Sequence, residues 1–435
     1  MRPAETFTLP PACAEIAERV EKALAAFVGE QRDLVATDDP GVRDAFDELE
    51  RVIASGGKRL RPVFCCLGHL AAGGESQDEL IRAASALELL HTFALVHDDV
   101  MDRSAVRRGE STTWRHLAET HRRSGFLGDP DGFGISAAVL VGDLAMTLAD
   151  RAFLESGFPP DRLLPGFARY GRMRTDMVAG QFLDVMAANR GEILEAEARR
   201  IAVLKSGAYT VEGPLHIGAT LAGGSEALLS ILSAYGVALG EAFQLRDDIL
   251  GAFGDPSVTG KDRDSDLREG KRTVLIAKAI EGAGTDDRSF LEERLGRPDL
   301  SDDEVERIRV IIQTSGALEE MLSSVSEFYD EEIEARLARV QRETELAWRQ
   351  GLRSLGSGSI LFVVGLLLSA GFLEPDVPDF WQNLLGNGVF LVIGWVGLWY
   401  PLDLLFFARQ PLKREALIVK AISGMPLLVQ PADLP

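Results

Sequence analysis

Two stretches constrain the fold more than any other part of the chain. Residues 77–102, QDELIRAASALELLHTFALVHDDVMD, are apolar nearly all round and close on His97-Asp98-Asp99-Val100-Met101-Asp102. Residues 231–250, ILSAYGVALGEAFQLRDDIL, repeat the design and close on Gln244-Leu245-Arg246-Asp247-Asp248. A helix that is apolar on every side must be buried among other helices. On the first helix, positions i and i+4 share a face, so Asp98 and Asp102 point together, with Asp99 about 100° round. Carboxylates gathered at a buried helix end repel one another and are costly without a cation. One such cluster alone is an ordinary solvated helix end. Two of them, ending two buried helices, predict a helical bundle whose paired carboxylates meet across a cavity.

The rest of the first 340 residues follows the same pattern. Long helical runs are expected at 134–156, 160–190, 193–222 and 226–251, with Gly and Pro mainly between them and little β-branched alternation. A charged, glycine-containing loop from Gly254 to Arg272 interrupts the series, and no repeat of fixed period is visible. Ser301, followed by Asp303 and Glu304, predicts a capped helix start in the acidic segment 301–340. The fold class is therefore all-α.

Charge narrows the chemistry. The net charge of −21 disfavours nucleic acid as a partner, so phosphate binding has to come from local basic clusters. Such clusters exist: Gly56-Gly57-Lys58-Arg59-Leu60-Arg61-Pro62, Arg107-Arg108-Gly109, Lys205-Ser206, and the loop from Gly260-Lys261 to Gly270-Lys271-Arg272. Arginine forks and lysine ammonium groups suit phosphate oxygens. Mg²⁺ prefers oxygen ligands and completes its shell with substrate phosphate. Basic residues beside metal-type carboxylates thus read as a polyphosphate site. Cys13, Cys65 and Cys66 form neither a disulfide framework nor a zinc motif, and the N-terminal residues lack a signal-peptide core, so a reducing, cytoplasmic setting is expected.

Taken in order, GGKRLRP, ELLHTFALVHDDVMDRSAVRRG, DMVAGQFLDV, KSGAYTVEGPLHIGA and FQLRDDILGAFGDPSVTGKDRDSDLREGKRT resemble the trans-isoprenyl (polyprenyl) diphosphate synthase family over roughly residues 15–340. The likeness is greatest to bacterial geranylgeranyl diphosphate synthases. It implies an isoprenoid-synthase-type bundle around a central cavity, usually a homodimer. It also implies Mg²⁺-dependent, head-to-tail condensation of isopentenyl diphosphate with an allylic diphosphate (dimethylallyl, geranyl or farnesyl). By the same resemblance, Asp98 and Asp102, supported by Asp99, hold metal on the allylic diphosphate, and Asp247 and Asp248 hold a further ion. Arg107, Lys205 and Lys261 neutralise the allylic diphosphate, and Ser206 and Lys271 are further substrate-binding residues. Lys58, Arg61, His91 and Arg108 bind isopentenyl diphosphate, while Gln181 and Gln244 are polar wall residues near the reacting centre. Phe93 and Ala94, five and four residues before Asp98, occupy the family's chain-length gate; a bulky residue beside a small one resembles synthases making C20 products, with C15 or a longer polyprenyl chain as the alternatives. One departure stands out: Gly251 replaces a third Asp of the second acidic motif, and Asp255 lies four residues on.

Beyond about 345 the composition changes. The segments 354–373 and 380–402 hold no charged residue, and Trp348, Trp381, Trp395 and Trp399 fall in or beside them. Each is long enough to cross a bilayer core of about 30 Å. Bases on the outer flanks and acids in the connector predict a hairpin with both ends on the cytoplasmic face. The expected organisation is a synthase domain at 1–345 and a membrane-associated tail at 346–435, with candidate transmembrane helices 354–373 and 381–402. Two rival readings are a class I terpene cyclase and a catalytically weak, membrane-anchored regulatory subunit. GGKRLRP and the Asp-rich second motif disfavour the first; Asp98, Asp99, Asp102, Lys58 and Arg61 disfavour the second.

Overall fold

The computed structural model describes residues 10–35, 39–75, 77–190, 193–254, 264–297, 299–327 and 334–371, with Val389, Phe390, Val392, Trp399, Pro401 and Leu402. The chain divides into two compact units, with the boundary after Tyr329.

The first unit is built almost wholly from helices. In order they are α1 (Pro11–Val35), α2 (Pro40–Ala54), α3 (Leu60–Ala71), α4 (Asp78–Met101), α5 (Thr113–Ser124), α6 (Pro130–Leu154), α7 (Pro160–Arg190), α8 (Glu195–Ala202), α9 (Gly213–Leu221) and α10 (Glu226–Phe253). They continue as α11 (Ser265–Arg268), α12 (Val274–Gly282), α13 (Thr285–Arg294), α14 (Asp302–Thr314) and α15 (Ala317–Glu327). As the apolar runs predict, α4 is buried on nearly every side, from Leu80 to Leu90, and packs along α6; α3 packs against α9. A smaller core joins the end of α10 to α12, α14 and α15 through Phe253, Leu275, Ile308 and Met321.

Caps and ion pairs fix the ends. Ser225 accepts from the Leu228 N–H at the start of α10. Ser301 and Glu304 form a reciprocal capping box on α14, where the sequence placed it. Such caps are each worth about 1 kcal/mol. Arg59, in the centre of GGKRLRP, turns inward rather than toward a ligand. Its Nη1 donates to Glu88 at 2.5 Å and its Nη2 to the Ile53 carbonyl at 2.7 Å, with both side chains of the ion pair buried. Removing one partner of such a pair costs about 3–5 kcal/mol.

Two departures from the expected run of helices matter for the site. The expected helix 193–222 is broken in its middle by a π-helical segment, Val203–Glu212, which carries Lys205 and Ser206. Such segments are rare and frequently occur at functional sites. After α4, a short antiparallel hairpin pairs β1 (Val106–Arg107) with β2 (Glu110–Ser111). Its two-residue turn is Arg108-Gly109, with φ of 55° and 77°. Positive φ at both turn residues marks the turn type that matches hairpin twist, and a non-glycine there is uncommon.

The second unit contains α16 (Glu334–Gly371), one helix that runs from a charged stretch into an apolar one. Its apolar window is Trp348–Leu368, with Ile360 and Leu367 about two-thirds exposed. Among the described residues α4, α6 and α10 are also long and apolar enough to cross a membrane, and these pack within the first unit. The second expected transmembrane helix, 381–402, falls almost entirely outside the described residues.

Candidate active site

A cavity of about 620 Å³ opens within the first unit. Of the residues singled out in the sequence, Arg61, His91, Phe93, Ala94, Asp98, Arg107, Arg108, Gln181, Lys205, Ser206, Gln244, Asp247, Asp248 and Lys271 line it. Asp99 and Asp102 join it through ion pairs with two of those cations. Lys58 lies outside the lining but within electrostatic reach of Asp247 and Arg246. Lys261 and Asp255 lie outside the described residues.

The first acidic cluster ends α4 and is met by cations from three other elements. Lys205, from the π-helical segment, donates to Asp98 Oδ1 at 3.3 Å and to Asp184 Oδ2 at 2.7 Å. Gln181 Nε2, from α7, donates to Asp98 Oδ1 at 3.0 Å. Arg107, on β1, donates from Nε to Asp99 Oδ1 at 2.7 Å and from Nη2 to Asp98 Oδ2 at 3.4 Å. Lys271 Nζ lies 3.0 Å from Asp102, 2.8 Å from Glu269 and 3.3 Å from Asp266. Burial works to raise Asp98, but Lys205, Lys271 and Arg107 override it and hold the carboxyl well below the usual carboxylate range. Burial dominates for its neighbours, so Asp99 and Asp102 are each pushed up to about 6.

The second cluster ends α10. Asp248 is buried and accepts from Gln244 Nε2 at 2.7 Å. Burial, with Asp247 and Asp266 nearby, pushes it up to about 8. Gly251 is where the expected third carboxylate is missing. A Cβ built there would come within 1.7 Å of Asp266 Oδ2. The Asp266 carboxylate, delivered by α11, therefore fills the space that a side chain at 251 would use, and it lines the cavity.

A basic region forms another part of the same cavity wall. Arg61 Nη2 donates to Thr210 Oγ1 at 2.9 Å, and its guanidinium sits 4.3 Å over the Tyr209 ring. Arg108 donates to the Gly56 carbonyl, joining the hairpin turn to GGKRLRP. Burial and the surrounding arginines Arg61, Arg108, Arg107 and Arg59 keep His91 well below its usual value, hence neutral. Burial and Arg246 lower Lys58 to about 8.

The donor set of the two acidic clusters is carboxylate oxygen, which suits a hard divalent cation; buried Asp102 Oδ2 is balanced by Lys271 at 3.0 Å without a hydrogen bond. Among the described residues no three His, Cys, Asp or Glu side chains gather closely enough to hold an ion unaided. A cation here would need oxygens from a ligand as well, as Mg²⁺ with a phosphate-bearing substrate commonly does. The cavity thus combines a metal-type carboxylate wall, a basic region and a stretch lined by Phe93 and Ala94. Asp184, Thr210, Tyr209 and Asp266 are site residues that the sequence reading did not single out.

Comparison with known proteins agrees with this geometry. The family profile described as Polyprenyl synthetase matches residues 44–312. The chain is 35% identical over 66% of its length to geranylfarnesyl diphosphate synthase of Aeropyrum pernix, covering 85% of that protein. It is 32% identical over 60% of its length to geranylgeranyl diphosphate synthase of Sulfolobus acidocaldarius, covering 74% of it. Among solved structures it resembles geranylgeranyl pyrophosphate synthase from Corynebacterium glutamicum complexed with isoprenyl diphosphate and magnesium. That match has a TM-score of 0.71 and 32% identity, covering 88% of this chain and 98% of the other.

Proposed function

The chain belongs to the polyprenyl synthetase family and is a prenyltransferase joining isopentenyl diphosphate to an allylic diphosphate, and from that premise we propose that it is Mg²⁺-dependent and makes geranylgeranyl diphosphate (C20). The observation that carries the site reading is the meeting of Asp98, Lys205, Lys271, Asp247 and Asp248 on one cavity. The C20 assignment rests on Phe93, bulky and cavity-lining, one residue before the small Ala94.

Asp98, Asp102 and Asp247 would hold Mg²⁺, with Asp99, Asp248 and Asp266 supporting them; bound there, the metal neutralises charge on the departing diphosphate. Arg107, Lys205 with Ser206, and Lys271 hold the allylic diphosphate, with Lys261 in the same role. Lys58, Arg61, His91 and Arg108 hold isopentenyl diphosphate in the basic region. The allylic C–O bond breaks and its electron pair leaves with diphosphate, whose developing charge is met by preplaced cations. The apolar chamber keeps water from the allylic cation. The isopentenyl double bond then forms the new C–C bond, and a proton is lost. Gln181 and Gln244 orient Asp98 and Asp248, respectively, through the hydrogen bonds described above.

The test is turnover of purified protein with Mg²⁺, isopentenyl diphosphate and each allylic primer, with product length read by mass spectrometry. A C20 product is expected. Product from a longer allylic diphosphate without isopentenyl diphosphate would indicate a cyclase instead, and no product would indicate a regulatory subunit.

We propose further that 346–435 is a membrane-associated tail, with 354–373 and 381–402 as a hairpin and both termini at the cytoplasmic face. The apolar surface of Trp348–Leu368 supports this reading, since contiguous exposed apolar surface marks an interaction site. A homodimer is the assembly we expect of the synthase domain, with exposed Leu140 on α6 and Phe182 on α7 as surface for a partner copy to cover. Protein that stays soluble without detergent and sediments apart from membranes would overturn the membrane reading.

A further inference from the structure

On the last turns of α4 before the first acidic cluster, the Phe93 ring packs against the His97 ring. Their ring centroids lie 4.5 Å apart with the planes inclined by 53°. His97 immediately precedes Asp98 and is held from α6. Its Nε2–H donates to the Val139 carbonyl at 3.1 Å and lies 3.5 Å from Asp143 Oδ1. The imidazole lies directly against Gly142. A Cβ at 142 would come within 2.3 Å of His97 Cδ2 and 2.4 Å of Nε2, closer than unbonded atoms approach. The imidazole therefore occupies the room that any larger residue at 142 would claim.

We propose that Gly142 and His97 form a buttress that fixes the position of Phe93, which makes residue 142 a specificity-determining position for product length. The inference rests on the reading of Phe93 as the gate. A packed interior has little free volume, so a ring wedged against a second ring held from α6 cannot turn aside when a growing chain presses on it. His97 lines the cavity beside Phe93, so without the imidazole a space of ring size opens next to Phe93 into which that ring can turn, and the chamber gains depth. With a methyl group at 142, the imidazole is driven off Val139 toward Phe93, and the chamber loses depth. Neither change alters a group that binds diphosphate.

The experiment compares product distributions by mass spectrometry, from geranyl diphosphate and isopentenyl diphosphate. The proteins are the wild type, Phe93→Ala, His97→Ala, His97→Asn, Gly142→Ala and the double variant His97→Ala/Gly142→Ala. His97→Ala is expected to lengthen the main product by at least one isoprene unit, and His97→Asn, which keeps a donor for Val139 but lacks the ring, to do the same. Gly142→Ala is expected to shorten it by one unit. The double variant should return toward the wild-type length, because the methyl group then enters space already vacated; such non-additivity is the signature of contacting residues. If Phe93→Ala lengthens the product while the His97 and Gly142 variants keep the wild-type distribution, the buttress is overturned and the gate stands. If Phe93→Ala also leaves the length unchanged, the gate reading falls and the buttress with it. Should Gly142→Ala fail to fold, as judged by its thermal melt, the two His97 variants decide the matter. Product length separates this role from general damage, which lowers rate without changing where elongation stops.

Discussion

The two acidic helix ends share a sequence pattern and a cavity, but they keep opposite electrostatic company. Asp98 on α4 is surrounded by Lys205, Arg107 and the Gln181 amide, with Lys271 beyond, and is held ionised. Asp248 on α10 meets an amide from Gln244 and two further carboxylates, and is held protonated up to about 8. One end is an anion already balanced by the protein. The other would reach full charge near neutral pH only with a cation beside it. A bare count of Asp residues would treat the two as equivalent; their neighbours make one a standing anchor and the other a conditional one.

The largest expected effect tests the anchor. Asp98→Ala should lower turnover by about 10³-fold or more, since it removes charge stabilisation of the departing group. Asp248→Asn should cost less, because Asp248 supports the metal rather than holding it directly and must give up a proton to do so. Equal losses in a steady-state assay would break the comparison. Next, Asp266→Ala should raise the Mg²⁺ concentration for half-maximal binding by roughly 10-fold, as loss of a supporting carboxylate typically does. Calorimetric titration with Mg²⁺ in the presence of a non-reacting diphosphate measures this directly. An unchanged value would mean that Asp266 fills space beside Gly251 without serving the metal.

A pH series then sharpens the contrast. Ionisation of Asp248 near 8, and of Asp99 and Asp102 near 6, must accompany metal binding, so Mg²⁺ should bind more tightly as pH rises from 6 to 8. A flat affinity across that range would remove the conditional role of the second cluster. The smallest effect concerns stability. A carboxyl raised above its unfolded value favours the folded state at low pH, and that contribution is lost as pH climbs through the raised value. Metal-free protein should therefore melt a few degrees lower at pH 8 than at pH 5, and Mg²⁺ with diphosphate should recover more of the melting temperature at pH 8. Thermal melts at the two pH values, with and without ligand, test both statements.

Much of this site was legible because its signals are local. The all-round apolar character of 77–102 and 226–251 foretold α4 and α10, and the acids closing each run foretold where the cavity would be. Ser301 and Glu304 foretold a helix start three residues long in its logic. What escaped depends on contacts between distant segments or on geometry that composition does not encode. Asp266 lies well along the chain from Gly251, and only folding places its carboxylate in the missing side chain's space. The π-helical segment has the composition of any other helix, yet it is what turns Lys205, Tyr209 and Thr210 toward the cavity. Asp184 reads as an ordinary acid on α7 until Lys205 is seen 2.7 Å away. His97 and Gly142 sit on different helices, and nothing in either local sequence announces their contact.

The hairpin turn at Arg108-Gly109 bears on a problem of identity. The two substrates of a head-to-tail condensation carry the same diphosphate group, so the headgroup alone cannot tell the sites apart. Arg107 and Arg108 are neighbours in sequence, but the turn sends them into different surroundings: Arg107 among Asp98 and Asp99, Arg108 toward Gly56 with Arg59 and Arg61 nearby. A diphosphate that has already collected divalent ions is drawn to the place rich in carboxylates. A bare one would be repelled there and favoured where arginines outnumber the buried acid Glu88. On the proposed reading, the two substrates would be sorted by the ions they carry rather than by their shape, with a two-residue bend setting Arg107 and Arg108 to different tasks.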